Sequence, residues 1–312
     1  MKILIAGGAG FLGSHLCEFL IKKGHYVLCI DNLLTGKKEN IINLSVNKNF
    51  KFKKIDITKK FTLNEKFDAV INFASIASPI HYVKYKIETL LVGSYGTYNL
   101  LEFAKKNKAK FLFSSTSEVY GDALISPQKE TYWGNVNPIG ARSMYDESKR
   151  FSEALIMNYH KVHGLDTKIV RIFNTYGPKM NINDGRVIPQ FIYQALRNIP
   201  ITVFGKGTQT RSFCYVSDLI NGIYKLLVSK ENEPVNIGNP YEITINQIAK
   251  IIIKLTKSKS KIIYKPLPKD DPKRRKPDIS KAKKILKWEP EISLEEGLKE
   301  TISYFTDKKI YL

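Results

Sequence analysis

The run ILIAGGAGFLGSHL sets Gly7, Gly10 and Gly13 at three-residue intervals between a short apolar segment and an amphipathic one. Glycine at these points lets a chain turn tightly out of a strand and bring its backbone against a pyrophosphate, which then rests on the N-terminus of the following helix. The next apolar run, YVLCID, ends in Asp31, about 20 residues past the turn, where a carboxylate can bond a ribose hydroxyl pair. That carboxylate repels a 2′-phosphate, and Lys37 and Lys38 are the nearest bases, so NAD is expected rather than NADP. Asp56 closes the third such run and is placed to meet the adenine edge.

The rhythm continues through the first half. KILIA, YVLCID, FKFKKID, DAVINFA, AKFLFSS and TKIVRIF are brief apolar runs flanked by turn residues, as strands buried on both faces of a parallel sheet are. Helical patterns over 13–23, 88–106 and 145–163 lie between them. This alternation predicts an α/β fold, a doubly wound parallel sheet (Rossmann) with right-handed crossovers.

After Phe173 the pattern loosens: NTYGPKMNINDGR is loop-like, and helices are expected over 187–197, 216–228 and 245–255. A last helix is expected over 293–304, opened by a Ser293–Glu296 capping box. The proline-broken, basic run KPLPKDDPKRRKPD over 265–278 reads as an ordered loop or a mobile arm. The expected organisation is an NAD-binding domain over 1–173, with a returning segment around 212–233, and a smaller C-terminal substrate-binding lobe over 174–312.

Composition narrows the function. The chain has 312 residues, of which 43% are hydrophobic, enough for a large core without metals or disulfides. Its three cysteines form no CxxC pair, so no zinc site or other metal is expected. No apolar run approaches the roughly 18 residues of a membrane span, and the opening run is too short for a secretory signal, which points to the cytoplasm and no membrane partner. The net charge of +21 comes from dispersed lysines with no aromatic-plus-basic motif. No nucleic-acid partner is expected, whereas an anionic small molecule fits.

YDESKR sets Tyr145 and Lys149 one helical turn apart. A free tyrosine is a poor base near neutrality, and an adjacent ammonium favours the phenolate, so the pair is a candidate proton acceptor. Upstream, SSTSEVYGD lines up Thr116, Ser117 and Glu118 at a strand end. Together with the glycine turn, these motifs resemble the extended short-chain dehydrogenase/reductase family acting on nucleotide sugars. Within it, ASIASPIHY, STSEVYGD, YWGNVNPIG, RIFNTYGPKMNINDGRV, GTQTRSFCYVSDL, PVNIGNP, DDPKRRKPDI and LKWEPEISLEEGL are most similar to the UDP-glucuronate decarboxylases.

The resemblance implies decarboxylation of UDP-glucuronate to UDP-xylose through a transient C4 ketone, with NAD regenerated each turnover. Catalytic roles fall on Thr116, Glu118, Tyr145 and Lys149. NAD contacts fall on Gly7, Gly10, Phe11, Leu12, Gly13, Asp31, Asn32, Thr35, Gly36, Asp56, Ile57 and Ala74, besides Tyr145 and Lys149. Tyr82, Glu118, Asn174, Arg186, Arg211 and Arg275 are implied to bind the substrate, with Glu118 near C5. A homodimer through the helices carrying Glu88 and Tyr145 is implied too.

Ser117 stands where related 4,6-dehydratases carry an acid for the departing C6 hydroxyl. A substrate losing CO2 needs none. Leu91 and Gly93 depart from the lysine and asparagine usual in these relatives. Tyr215 and Asp218 read as structural, His160 and His163 as favourable helix-end charges, Trp133 as packing a substrate-side loop and Trp288 as packing the last helix. A 4-epimerase, a 4,6-dehydratase and a non-catalytic NAD-binding protein remain the alternatives.

Overall fold

The computed structural model describes residues 1–183, 185–266 and 274–308; half of the basic run over 265–278 lies outside them. Six apolar runs form six strands: β1 Lys2–Ala6, β2 Tyr26–Asp31, β3 Phe50–Lys54, β4 Ala69–Asn72, β5 Lys110–Thr116 and β6 Thr167–Ile172. With the later strand Val235–Ile237 they make a seven-stranded, all-parallel sheet in the order Val235–Ile237, β6, β5, β4, β1, β2, β3. Alternate residues feed two cores, because successive side chains of a strand face opposite ways. Ile3, Ile5, Val27 and Ile71 meet one side and Leu4, Leu28, Val70 and Phe111 the other. At the β3 edge, exposed Lys51, Lys53 and Lys54 discourage pairing with another chain.

The first core is closed by α1 Phe11–Lys22, through Leu16 and Leu20, and by a helix from the second half, Val216–Val228, through Leu219, Ile223 and Leu226. The second core is closed by two crossover helices. One runs as Lys86–Leu91, a π turn over Val92–Gly96 and Thr97–Asn107; the other is Ser143–His163. The single helix expected over 88–106 therefore carries one wide turn, which simple periodicity does not show. The strand Val235–Ile237 has three residues, too short to stand out from a loop.

A third core gathers Val187–Leu196, Ile245–Thr256 and Leu294–Asp307 with the parallel pair Ile201–Phe204 and Ile262–Lys265. The antiparallel pair Thr210–Ser212 and Glu242–Thr244 borders it. Two details differ from expectation. Ser293 accepts from Glu296 N at 3.2 Å without the reciprocal bond, whereas the complete capping box is Thr244–Gln247, where the glutamine side chain returns to the cap. Trp288 packs in the first core rather than on the last helix, its Nε1 donating to Asp218 O at 2.9 Å. Asp218 is structural as expected: its Oδ2 accepts Glu291 N and Ile292 N.

Candidate active site

Sequence order reverses between β1 and β4, and a ligand crevice forms at the carboxyl ends of strands where that happens. A cleft of about 1440 Å³ opens there, joined through shared walls at Gly7, Gly10 and Thr35 to a smaller cavity of about 290 Å³.

The smaller cavity and its approach are built by the glycine turn. Gly7 has φ +79°, and a Cβ there would lie 2.5 Å from the backbone of Phe73 and Ala74. A Cβ on Gly13 would lie 2.2 Å from Gly7 O, so the helix could not seat on the turn. α1 starts with no side-chain cap and no acid in its first turn, leaving its first N–H groups and the positive end of its dipole for an anion. Asp31 is buried, which pushes its carboxyl up, against bonds from Leu33 N at 2.8 Å and Ala9 N at 3.1 Å that favour the anion. A Cβ on Gly36 would fall 2.8 Å from its Oδ2, so glycine keeps that oxygen accessible. Asn32, Asp56, Ile57 and Ala74 complete the cavity, while Phe11, Leu12 and Gly13 wall the cleft beside it. These residues fit a dinucleotide of the NAD type.

The cleft's inner end is where β5 meets the helix Ser143–His163. β5 ends at Thr116, whose hydroxyl accepts from Glu118 N at 3.3 Å and lies near enough to the Tyr145 phenol to favour its ionised form. Tyr82 stacks on Tyr145 with ring centroids 5.3 Å apart. Lys149 Nζ donates to Ser114 O at 2.6 Å and lies 4.7 Å from the centre of the Phe113 ring. The expected lowering of the tyrosine pKa by the lysine is not seen. Burial pushes the Tyr145 phenol well up, only partly offset by Thr116. Burial also pulls Lys149 down to about 7, opposed by the Glu153 charge. The spacing shows that the pair meets; how dry the meeting place is depends on the whole fold.

Glu118 lies on the turn Ser117–Tyr120 that follows β5. Burial alone would raise its carboxyl, yet Arg275 and Arg142 hold it down at about 2. Arg142 Nη2 donates to its Oε2 at 2.6 Å and Arg275 Nη2 to the same oxygen at 2.7 Å. Arg275 also bonds Gly121 O. Its segment is pinned by fully buried Gln128, which donates through its backbone N to Lys276 O at 2.8 Å and accepts Lys276 N on Oε1 at 2.8 Å.

Arg142 and Gln128 were not singled out from sequence. Arg142 left one signal: it is the N-cap of the tyrosine helix, where the helix dipole disfavours a cation unless an anion faces it.

Arg186, which donates to Ala77 O at 3.1 Å, lines the same cleft with Arg211, Asn174, Tyr82 and Ser117. The fold thus brings all the expected cofactor and substrate residues to the walls of two connected cavities. Trp133, by contrast, is 91% exposed rather than packed in a loop as expected. Asp146, beside Tyr145, is buried with Oδ1 lacking a partner among the described residues. Burial and the Glu118 charge push it up to about 7.

Residues 4–301 match the family model described as GDP-mannose 4,6 dehydratase. The chain is 48% identical over 308 residues to UDP-glucuronic acid decarboxylase 1 of Arabidopsis thaliana, covering 99% of this chain and 70% of that one. The solved UDP-glucose 4-epimerase of Thermotoga maritima superposes with TM-score 0.91 at 33% identity, over 99% of this chain and 100% of that one. UDP-glucuronic acid 4-epimerase of Bacillus cereus, solved with UDP-glucuronic acid and NAD, has TM-score 0.86 at 32% identity, over 99% and 100%.

Proposed function

The chain belongs to the UDP-glucuronic acid decarboxylases of the extended short-chain dehydrogenase/reductase family, and from that premise we propose that it converts UDP-glucuronate to UDP-xylose. The observation that carries this reading is the 48% identity to a decarboxylase over nearly the whole chain. Ser117 supports it against dehydration, because a hydroxyl stands at that point of the cleft wall where a leaving hydroxyl would need an acid.

NAD, when bound, supplies a hydride acceptor at C4 of the sugar and returns the hydride at the end. Tyr145, beside Thr116, is the group that takes the C4 hydroxyl proton, and Lys149, 5.9 Å from the centre of its ring, steadies the phenolate in its protonated form. The substrate carboxylate then lies β to a ketone, so the electrons of the breaking C5–C6 bond delocalise into the carbonyl and CO2 departs. Protonated Tyr145 donates to the enolate oxygen. C5 regains a proton from water, since a Glu118 carboxyl held at about 2 stays ionised and can orient water but not supply its own proton. Asn174, Arg186 and Arg211 are assigned to the diphosphate and sugar, where arginine forks suit paired oxygens.

Incubation with UDP-glucuronate, UDP-glucose and dTDP-glucose, followed by mass analysis, tests the reading. Loss of CO2 from UDP-glucuronate is expected; an isomer of unchanged mass would make this an epimerase instead.

We also assign a homodimer, supported by exposed Ile87, Leu90, Tyr95, Tyr98 and Phe151 on the Lys86–Asn107 and tyrosine helices. Sedimentation at monomer mass across micromolar concentrations would refute it. No helix among the described residues is long and apolar enough to cross a membrane. A reducing, cytoplasmic setting agrees with free thiols at Cys17, Cys29 and Cys214, and fractionation of the source cells checks it.

A further inference from the structure

The π turn over Val92–Gly96 lies between the smaller cavity and the tyrosine helix. Glu88, Leu91 and Val92 wall the cavity, while Gly93 is buried against the helix. A Cβ on Gly93 would lie 2.6 Å from Ser148 Cβ and 2.9 Å from Ser148 O. Atoms do not approach so closely, so any side chain at 93 must push the tyrosine helix away or tilt it. Ser148 sits between Tyr145 and Lys149, and its Oγ donates to Tyr145 O at 2.7 Å.

The contact is bonded as well as close. Ser152 Oγ is 2.6 Å from Gly93 O and 2.8 Å from Ser148 O, spanning the two helices at this point. Ser152 Oγ also meets Thr97 Oγ1 at 3.2 Å, and Thr97 Oγ1 accepts from Asn72 Nδ2 at 3.2 Å. Asn72 Oδ1 in turn accepts Ala74 N at 3.1 Å, on the wall of the smaller cavity. A continuous set of small side chains therefore joins that cavity to the helix carrying Tyr145. A π turn often marks a functional point in a helix, since it re-aims the backbone without ending it.

We propose that Gly93 and Ser148 form a matched pair that positions Tyr145: the absent side chain at 93 sets how closely the tyrosine helix sits against Thr116. Gly93 and Ser148 are positioning residues, acting through Tyr145. In an ordinary helix Gly→Ala is stabilising; here the contact reverses the sign for function.

The test compares G93A, S148T and the double variant G93A/S148G with wild type. It rests on the decarboxylase reading for its rate, so it also measures amide hydrogen exchange over residues 145–149, which needs no turnover. G93A is expected to lower kcat at least tenfold while KM for UDP-glucuronate stays within threefold, and to speed exchange over 145–149. S148T crowds the same contact from the other side with Gly93 intact and is expected to act likewise, so the test survives if G93A does not fold. Removing the opposing side chain in G93A/S148G clears the 2.6 Å contact but leaves the one to Ser148 O at 2.9 Å, so both readouts are expected to recover at least threefold from G93A toward wild type without reaching it. Wild-type kcat in both G93A and S148T overturns the proposal, as does a loss that S148G does not relieve. A wild type without decarboxylation would sink the functional reading alone, with the exchange data still judging the pair.

Discussion

Two regions of the cleft handle charge in opposite ways. At the strand end, Glu118 is ionised and locked between Arg142 and Arg275, with its carboxyl held at about 2. On the facing helix, Tyr145, Asp146 and Lys149 are buried as well, but burial there moves each toward its neutral form. The difference lies in partners. Two guanidiniums within 2.7 Å outweigh the desolvation of Glu118, whereas one carbonyl or one hydroxyl does not outweigh it on the helix. The site therefore divides into a part whose charges are fixed, suited to orienting a substrate, and a part whose protons can move.

The largest effect should come from the movable side. Tyr145→Phe keeps the ring and its stacking on Tyr82 but removes the proposed proton carrier. It is expected to lower kcat about 10³-fold with little change in folding or NAD content, measured by CO2 release under saturating UDP-glucuronate. Turnover near the wild-type rate would mean that the helix side is scaffolding and the comparison is wrong.

The fixed side should respond in stability as well as activity. Glu118→Gln leaves Arg142 and Arg275 facing an amide in a site with little water. Breaking a buried pair by removing one partner costs about 3 kcal/mol, so a clear fall in the urea midpoint is expected alongside a raised KM. The sign with pH follows from the depressed carboxyl. Its stabilisation is present above the ordinary glutamate pKa of 4.5 and is lost as pH falls toward about 2. Wild type and variant should therefore converge in stability between those values. An unchanged midpoint near neutrality would show that the clamp contributes orientation only.

The contrast also shows how far residue patterns could be read. Six of the seven sheet strands stand out because each is a short apolar run between turns, and Val235–Ile237 escapes because three residues make no pattern. Gly93 and Gly96 sit in a stretch that reads as plain helix, since nothing local announces a shifted hydrogen-bond register. Ser293 shows the limit of a motif: the residues for a capping box are present, and only half of it forms. In the site, YDESKR and TSE bring the proposed catalytic side chains to one cleft because one turn of helix and one strand end fix which side chains share a place. The partners of Glu118 come from residues 24 and 157 positions away, and no local spacing encodes them. Nor can spacing predict burial, which is why the tyrosine's expected shift came out with the opposite sign.

Asp146 offers the finest test, since it shares the helix with Tyr145 and lies close enough to Glu118 to feel its charge. Its carboxyl rises from 3.8 to about 7. A carboxyl raised in the folded state favours folding below its unfolded pKa, and that advantage disappears as pH climbs through the folded value. Between roughly pH 4 and 7 the native protein therefore loses stability on this residue's account, because the unfolded chain ionises there while the buried carboxyl, its Oδ1 unbonded among the described residues, keeps its proton. Asp146→Asn removes the titration and keeps the shape. The variant should gain on wild type by on the order of 2 kcal/mol between pH 4.5 and pH 8, below the full Coulomb and desolvation value because water and side chains relax. Urea midpoints at the two pH values read the difference directly. A gap that stays constant with pH would mean that Asp146 is ionised throughout and belongs with Glu118 on the fixed side, moving the boundary between the two regions onto the helix itself.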